Sequence, residues 1–185
     1  QFAIFTNLLQ DPSGFYRHAY NWPDQKDGVF WGRGNGWVAA AGYEYLRVRR
    51  NRGETDIDAK QAAGRLIDAA LASQDLASGM WWTVLNRPGE TYLETSATAL
   101  FASAMARGYR YGYLNDGVLG AVYAAVEGIK TRIITDDEGR PVITDISGPT
   151  GPGSFKGYAA VKIVEDAPYG IGAVIMALVE SSGLP

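Results

Sequence analysis

A succession of apolar segments with helical spacing, separated by glycine- and proline-bearing turns, most constrains what this chain can fold into. From Asp56 to Ser73, apolar residues recur at Ala59, Ala63, Leu66, Ile67, Ala70 and Leu71, a stripe along one helix face. A second stripe runs through Val118, Ala121, Val122, Ala125, Val126 and Ile129, within 114–130. Other segments are of a different kind. Residues 36–48 and 93–106 are apolar and Ala-rich, and Ile171 to Glu180 is apolar almost throughout, which predicts burial. A helix from about Asn35 to Arg50 carries Ala39, Ala40, Ala41 and Gly42, small residues that let a neighbour approach closely. Phe2 to Leu9 reads as the end of a helix stopped by Asp11-Pro12-Ser13-Gly14. Thr91-Tyr92-Leu93-Glu94 matches a capping box, so a helix is expected to begin there, run to about Ala106 and stop at Gly108.

Only one segment reads as β. Residues 132–135 and 141–144 flank Asp137-Glu138-Gly139 as a small hairpin, too small to make a mixed fold. The chain therefore reads as all-α, one domain over residues 1–185. Amphipathic helices alternating with apolar ones suit the outer and inner layers of a concentric toroid. They suit a simple bundle equally, and periodicity alone does not choose.

Composition removes several function classes. A net charge of −3, with the two signs interleaved, offers no surface for nucleic acid or an anionic membrane. No stretch approaches the roughly 20 apolar residues of a membrane span. The chain has no cysteine, which excludes disulfides and thiolate metal sites, and its single histidine, His18, excludes a multi-histidine metal centre. The five Trp and eleven Tyr suit sugar rings as well as they suit a core.

The densest cluster is Phe30-Trp31-Gly32-Arg33-Gly34-Asn35-Gly36-Trp37. Two indoles bracketing a guanidinium make a clamp for a sugar carboxylate, the rings stacking on the sugar and the fork pairing with the anion. The alternative is a cation–π packing corner at a helix entry. Asp24 and Asp27 lie nearby in a polar loop, where solvated turn residues are expected. Lys156 and Lys162 belong to a loop that either closes over a ligand or is an ordinary surface connection.

Trp31 to Trp37 resembles a motif of the unsaturated rhamnogalacturonyl and glucuronyl hydrolases, glycoside hydrolase families 105 and 88. Asp11-Pro12-Ser13-Gly14-Phe15-Tyr16-Arg17-His18 is similar to the family's His-bearing loop. Gly79-Met80-Trp81-Trp82-Thr83-Val84-Leu85, Tyr92-Leu93-Glu94-Thr95-Ser96-Ala97, residues 108–114, the Gly-rich loop at 148–153 and Gly170-Ile171-Gly172-Ala173 continue the match in order. The resemblance implies an (α/α)6 toroid, of which this chain is roughly half, the C-terminal part. It implies removal of a 4,5-unsaturated uronyl residue from pectin- or glycosaminoglycan-type oligosaccharides by hydration of the double bond, without a cofactor. It also implies a substrate-binding set of His18, Trp22, Trp31, Arg33 and Trp37, with Arg33 contacting the uronate carboxylate.

No catalytic residue is identified here. The resemblance implies that the catalytic aspartate lies upstream, in a W-x-D context before the His-bearing loop. Glu94 is explained by a helix-capping role. The chain departs from the family in a shortened loop between His18 and Trp31, and in Tyr169 where relatives often carry a basic residue. The expectations are that this chain alone does not turn over substrate, and that exposed inner helices make it self-associate or pair with the missing half. Two other functions compete: a non-catalytic carbohydrate-binding remnant, and another α/α-toroid enzyme such as a uronate lyase or sugar epimerase.

Overall fold

A computed structural model describes residues 2–23 and 28–185. Asp24 and Asp27 lie outside the described residues. The chain runs α1 (Phe2–Leu9), α2 (Gly32–Asn51), α3 (Ile57–Ser73), α4 (Thr95–Arg110), a single 3-10 turn (Asp116–Val118) and α5 (Leu119–Lys130). The antiparallel strands β1 (Ile133–Thr135) and β2 (Pro141–Ile143) follow, then β3 (Ile146–Ser147), α6 (Phe155–Ala159), β4 (Ile163–Val164) and α7 (Pro168–Ser181).

Helix α4 is the centre of the arrangement. Every residue from Thr95 to Ala106 is buried, because α2 packs on one flank, α7 on the other, and α3 and α5 lie behind. Four of those residues, Thr95, Ser96, Thr98 and Ser103, are weak helix formers that each cost a few tenths of a kcal/mol. Burying Leu100, Phe101 and Met105 contributes about 1.5–3 kcal/mol apiece, so packing overrides propensity here. The hydroxyls are satisfied locally: Thr98 Oγ1 donates to Glu94 O and Ser103 Oγ to Leu100 O. Close approach of α2 to α4 depends on Gly36, where an added Cβ would come within 2.8 Å of Leu100 Cβ.

The amphipathic segments take the outer positions. In α3 the buried face is Ala59, Ala62, Ala63, Leu66, Ile67 and Ala70, and Asp56 caps its first turn by accepting from Ala59 N at 2.9 Å. Helix α5 buries Val122, Ala125 and Ile129. Helix α1 packs beside α3, and its Phe2 stacks on Tyr45 of α2 with ring centres 5.7 Å apart. The result is an inner layer of α2, α4 and α7, with α1, α3 and α5 outside it.

Three expectations need correction. The capping residue of α4 is Glu94 itself, whose carboxylate accepts from Ser96 N and Ala97 N, while Thr91 Oγ1 accepts from Val84 N instead. The helix then runs past Gly108 to Arg110, since the Leu114 and Tyr43 side chains pack where a Cβ of residue 108 would lie. Helix α7 is not buried throughout: Gly170, Ala173, Val174 and Ala177 face α4, whereas Ile175, Leu178 and Val179 are exposed. The hairpin at 133–143 forms as expected, with Ile133 opposite Ile143, but a second ribbon pairs Ile146 with Val164 and Ser147 with Ile163.

Candidate substrate-binding site

The inner helices α2, α4 and α7 bring their N-terminal ends to one place, and Ser147 lies at the junction. Arg33, in the first turn of α2, is 4% exposed and donates through Nη1 to Ser147 O and through Nη2 to Gly148 O at 2.8 Å. Tyr169, in the first turn of α7, donates its hydroxyl to the same Ser147 carbonyl at 2.9 Å. Ser147 N donates at 2.9 Å to the Glu94 carboxylate that caps α4. Neither α2 nor α7 has a side-chain N-cap, so their partial positive ends are not neutralised by an acidic side chain in the first turn. An anion is favoured near such a junction.

Trp31 forms the floor beside it. The His18 ring stacks on Trp31 with centres 4.5 Å apart, the Arg33 guanidinium lies 4.8 Å from the indole centre, and the Tyr158 ring is nearly parallel at 6.3 Å. His18 Nδ1 and the Tyr158 hydroxyl share a hydrogen bond of 3.0 Å. Burial, and then the positive charge of Arg33, hold the His18 imidazole below its usual pKa, so the ring is neutral at neutral pH. Asn35 fixes the local backbone by accepting from Tyr16 N and donating to Tyr16 O and Trp31 O. The Trp31 indole Nε1 is buried without a hydrogen-bond partner among the described residues, a donor that a ligand or water would satisfy.

These positions revise the clamp expected from sequence. Trp31 is 7% exposed and covered by other rings, so it supports the site and offers no open face to a sugar. Two Arg33 donors already hold backbone carbonyls, so its guanidinium braces the 147–148 turn. The open aromatic faces are Trp37, one helical turn beyond Arg33 and 40% exposed, and Trp22, 45% exposed. His18, Trp31 and Arg33 come together as one cluster; Trp37 and Trp22 are exposed and are not among the residues that line the groove beside it.

Tyr158 and Tyr169 were not singled out as site residues by sequence reasoning. The single signal for the first was an aromatic residue at the end of the loop from Ser147 to Tyr158. For the second it was a tyrosine at a position the family often gives to a cation. The tyrosine ring now lies against a cation, with its centre 4.3 Å from the Arg33 guanidinium carbon. Glu94 is fully buried and accepts from Ser96 N, Ser96 Oγ, Ala97 N and Ser147 N. Those four donors make it a structural anchor. Beside His18 and Trp31, an apolar groove of about 290 Å³ runs between α1 and α2, and no carboxylate among the described residues lines it.

Comparison with known proteins places this geometry. Residues 1–184 match the sequence profile of Glycosyl Hydrolase Family 88. The chain is 30% identical over 206 residues to Protein Atu3128 of Agrobacterium fabrum, covering 98% of this chain and 88% of that protein. It is 35% identical over 138 residues to the unsaturated rhamnogalacturonyl hydrolase YesR of Bacillus subtilis, covering 69% of this chain and 38% of that enzyme. A solved glycoside hydrolase of family 105 from C. acetobutylicum superposes with a TM-score of 0.87 at 27% identity, over all of this chain and 57% of the other. The chain thus spans little more than half of that structure. Its inner and outer layers are part of an (α/α)6 toroid, which decides between the toroid and the simple bundle that periodicity left open.

Proposed function

Because the chain belongs to Glycosyl Hydrolase Family 88, we propose that it forms the sugar-binding side of a site that removes 4,5-unsaturated uronyl residues from oligosaccharides. The relatives named for unsaturated rhamnogalacturonyl and glucuronyl hydrolysis support that substrate class. In the chemistry this implies, water adds across the uronyl double bond. The resulting hemiketal opens, and the rest of the oligosaccharide leaves.

One observation carries the reading for this chain: the converging N-terminal ends of α2, α4 and α7, with the His18–Trp31–Tyr158 stack beside them. The uncapped ends of α2 and α7 favour the uronate carboxylate, and the Arg33 charge adds to that field although its terminal nitrogens brace the loop. Neutral His18 and the Trp31 indole N–H supply hydrogen-bonding groups for hydroxyls. Trp37 and Trp22 offer faces for the sugar rings. No metal or organic cofactor takes part in this reading.

Glu94 does not serve as proton donor, because its oxygens are engaged by four donors in the core. No carboxylate among the described residues lines the His18–Trp31 groove, so this reading takes its general acid from outside that set. The same observation favours a second reading, in which the chain binds unsaturated uronides without turning them over. Calorimetric titration with unsaturated galacturonyl-rhamnose, alongside the absorbance of its double bond, tests both. Binding without loss of absorbance supports a binding half, turnover by this chain places a general acid within it, and absence of binding contradicts both readings.

A further inference from the structure

Tyr158 is fully buried, and its position is set from two directions. Ser154 caps the short helix α6 by accepting from Gly157 N, and Tyr158 N donates to Ser154 O at 3.0 Å. The ring packs with Val29, Trp31 and Val84. Its hydroxyl then reaches two groups: Gly153 N donates to it at 3.2 Å, and His18 Nδ1 lies 3.0 Å away. The His18 ring is itself held by stacking on Trp31, and its Nε2 bonds to no described residue.

A hydrogen bond between a neutral imidazole and a phenol can run either way, because each group both donates and accepts. Two considerations give this one a direction. A phenol, with an ordinary pKa of about 10, is a stronger acid than the N–H of a neutral imidazole. The bare imidazole nitrogen, whose conjugate acid has a pKa of about 6.5, is a stronger base than a phenol oxygen. The better donor meets the better acceptor when the hydroxyl points at Nδ1. The Gly153 N–H on the same oxygen polarises the hydroxyl further in that sense. The geometry points to Tyr158 as a positioning residue, whose hydroxyl donates to His18 Nδ1 and so fixes the proton of the neutral ring on Nε2.

His18 then offers a ligand one group, and that group is a donor. Its in-plane lone pair is committed to Tyr158. Toward an uronide, Nε2–H pairs with a carboxylate or hydroxyl oxygen, and the ring does not take a proton from the water that adds to the double bond. That role rests on the proposed uronyl reading; the direction of the bond does not. The loop from Ser147 to Tyr158 gains a task as well. Arg33 holds its start through Ser147 O and Gly148 O, while Gly153 N orients the hydroxyl that orients His18, 140 residues earlier.

His18 is the chain's single histidine, so its imidazole nitrogen resonances are identified without assignment. Long-range proton–nitrogen correlation spectra of the 185-residue chain, labelled with nitrogen-15 histidine and free of sugar, read which nitrogen carries the proton. A pH of about 8 keeps the ring neutral. The expected spectrum shows a protonated Nε2 and a bare, hydrogen-bonded Nδ1. Tyr158→Phe keeps the ring and removes the hydroxyl. In that variant, with its helices checked by circular dichroism, the fraction of rings protonated on Nδ1 rises severalfold, and the bare nitrogen shifts toward its unbonded position. A protonated Nδ1 in the unaltered chain overturns the proposal, whether or not the variant folds. Identical imidazole spectra from the two folded proteins overturn it as well. With no sugar in the sample, either result stands apart from failure of uronide binding, which the calorimetric titration reports.

Discussion

The guanidinium carbon of Arg33 lies 4.3 Å from the centre of the Tyr169 ring, and both side chains donate to the carbonyl of Ser147. That relationship ties the start of α2 to the start of α7 across the top of α4. It also separates two kinds of contribution. Tyr169→Phe keeps the ring beneath the cation and loses one hydrogen bond, a cost of about 1 kcal/mol. Arg33→Lys loses the planar fork that reaches both Ser147 O and Gly148 O, and costs about 2–3 kcal/mol. Urea denaturation measures both. A Tyr169→Phe loss exceeding that of Arg33→Lys would show that the guanidinium does not brace the turn.

Glu94 is predicted to matter for folding and not for proton transfer. Glu94→Gln keeps the shape but removes the charge and makes one carboxylate oxygen a donor facing backbone N–H groups. The expected loss is about 2–3 kcal/mol in unfolding free energy, because buried donors are left unsatisfied. A fully stable Glu94→Gln protein contradicts the anchoring role.

Gly36→Ala sets two effects against each other. Alanine favours the helix by about 1 kcal/mol over glycine. The new Cβ would sit 2.8 Å from Leu100 Cβ, an atom fixed to the backbone that cannot swing aside, and overpacking of that kind costs about 1–3 kcal/mol. The net prediction is a lowered melting temperature; a raised one would mean that α2 and α4 separate freely.

His18 gives a pH signature with a definite sign. Burial and the Arg33 charge depress its folded pKa below the ordinary value of 6.5. As pH falls below about 6.5, the unfolded chain takes up this proton first, so stability falls with pH until the folded ring also protonates. The contribution is fully present above that window. His18→Gln is expected to flatten the stability–pH curve as pH falls below about 6.5, relative to the unaltered chain. An unchanged slope would remove His18 as its source.

The helical framework was legible because burial imposes its period on sequence. The stripe from Ala59 to Leu71 reports the buried face of α3, and the Ala-rich run at 93–106 reports a helix covered on all sides. The exposure of Ile175, Leu178 and Val179 was not legible, because hydropathy states what a residue prefers and not whether a neighbour is present to cover it. In the site, the motif from Trp31 to Trp37 was visible and its geometry was not. That Trp31 is covered by His18 depends on how the intervening loop folds back, and that Arg33 spends its fork on Ser147 and Gly148 depends on contacts more than a hundred residues apart in the chain. Tyr158 bonds to His18 across 140 residues, a pairing that its place at the end of a loop does not reveal.

Trp37 offers an open ring face while Trp31 does not, so Trp37→Ala is predicted to weaken uronide binding about tenfold with little change in melting temperature. Trp31→Ala is predicted to lower both.

The most direct measurement is a titration of this chain with unsaturated galacturonyl-rhamnose, following heat of binding and double-bond absorbance in the same samples. The prediction is saturable binding with constant absorbance, weakened in Trp37→Ala. Loss of absorbance catalysed by the pure chain would contradict it, as would no heat of binding at any attainable sugar concentration.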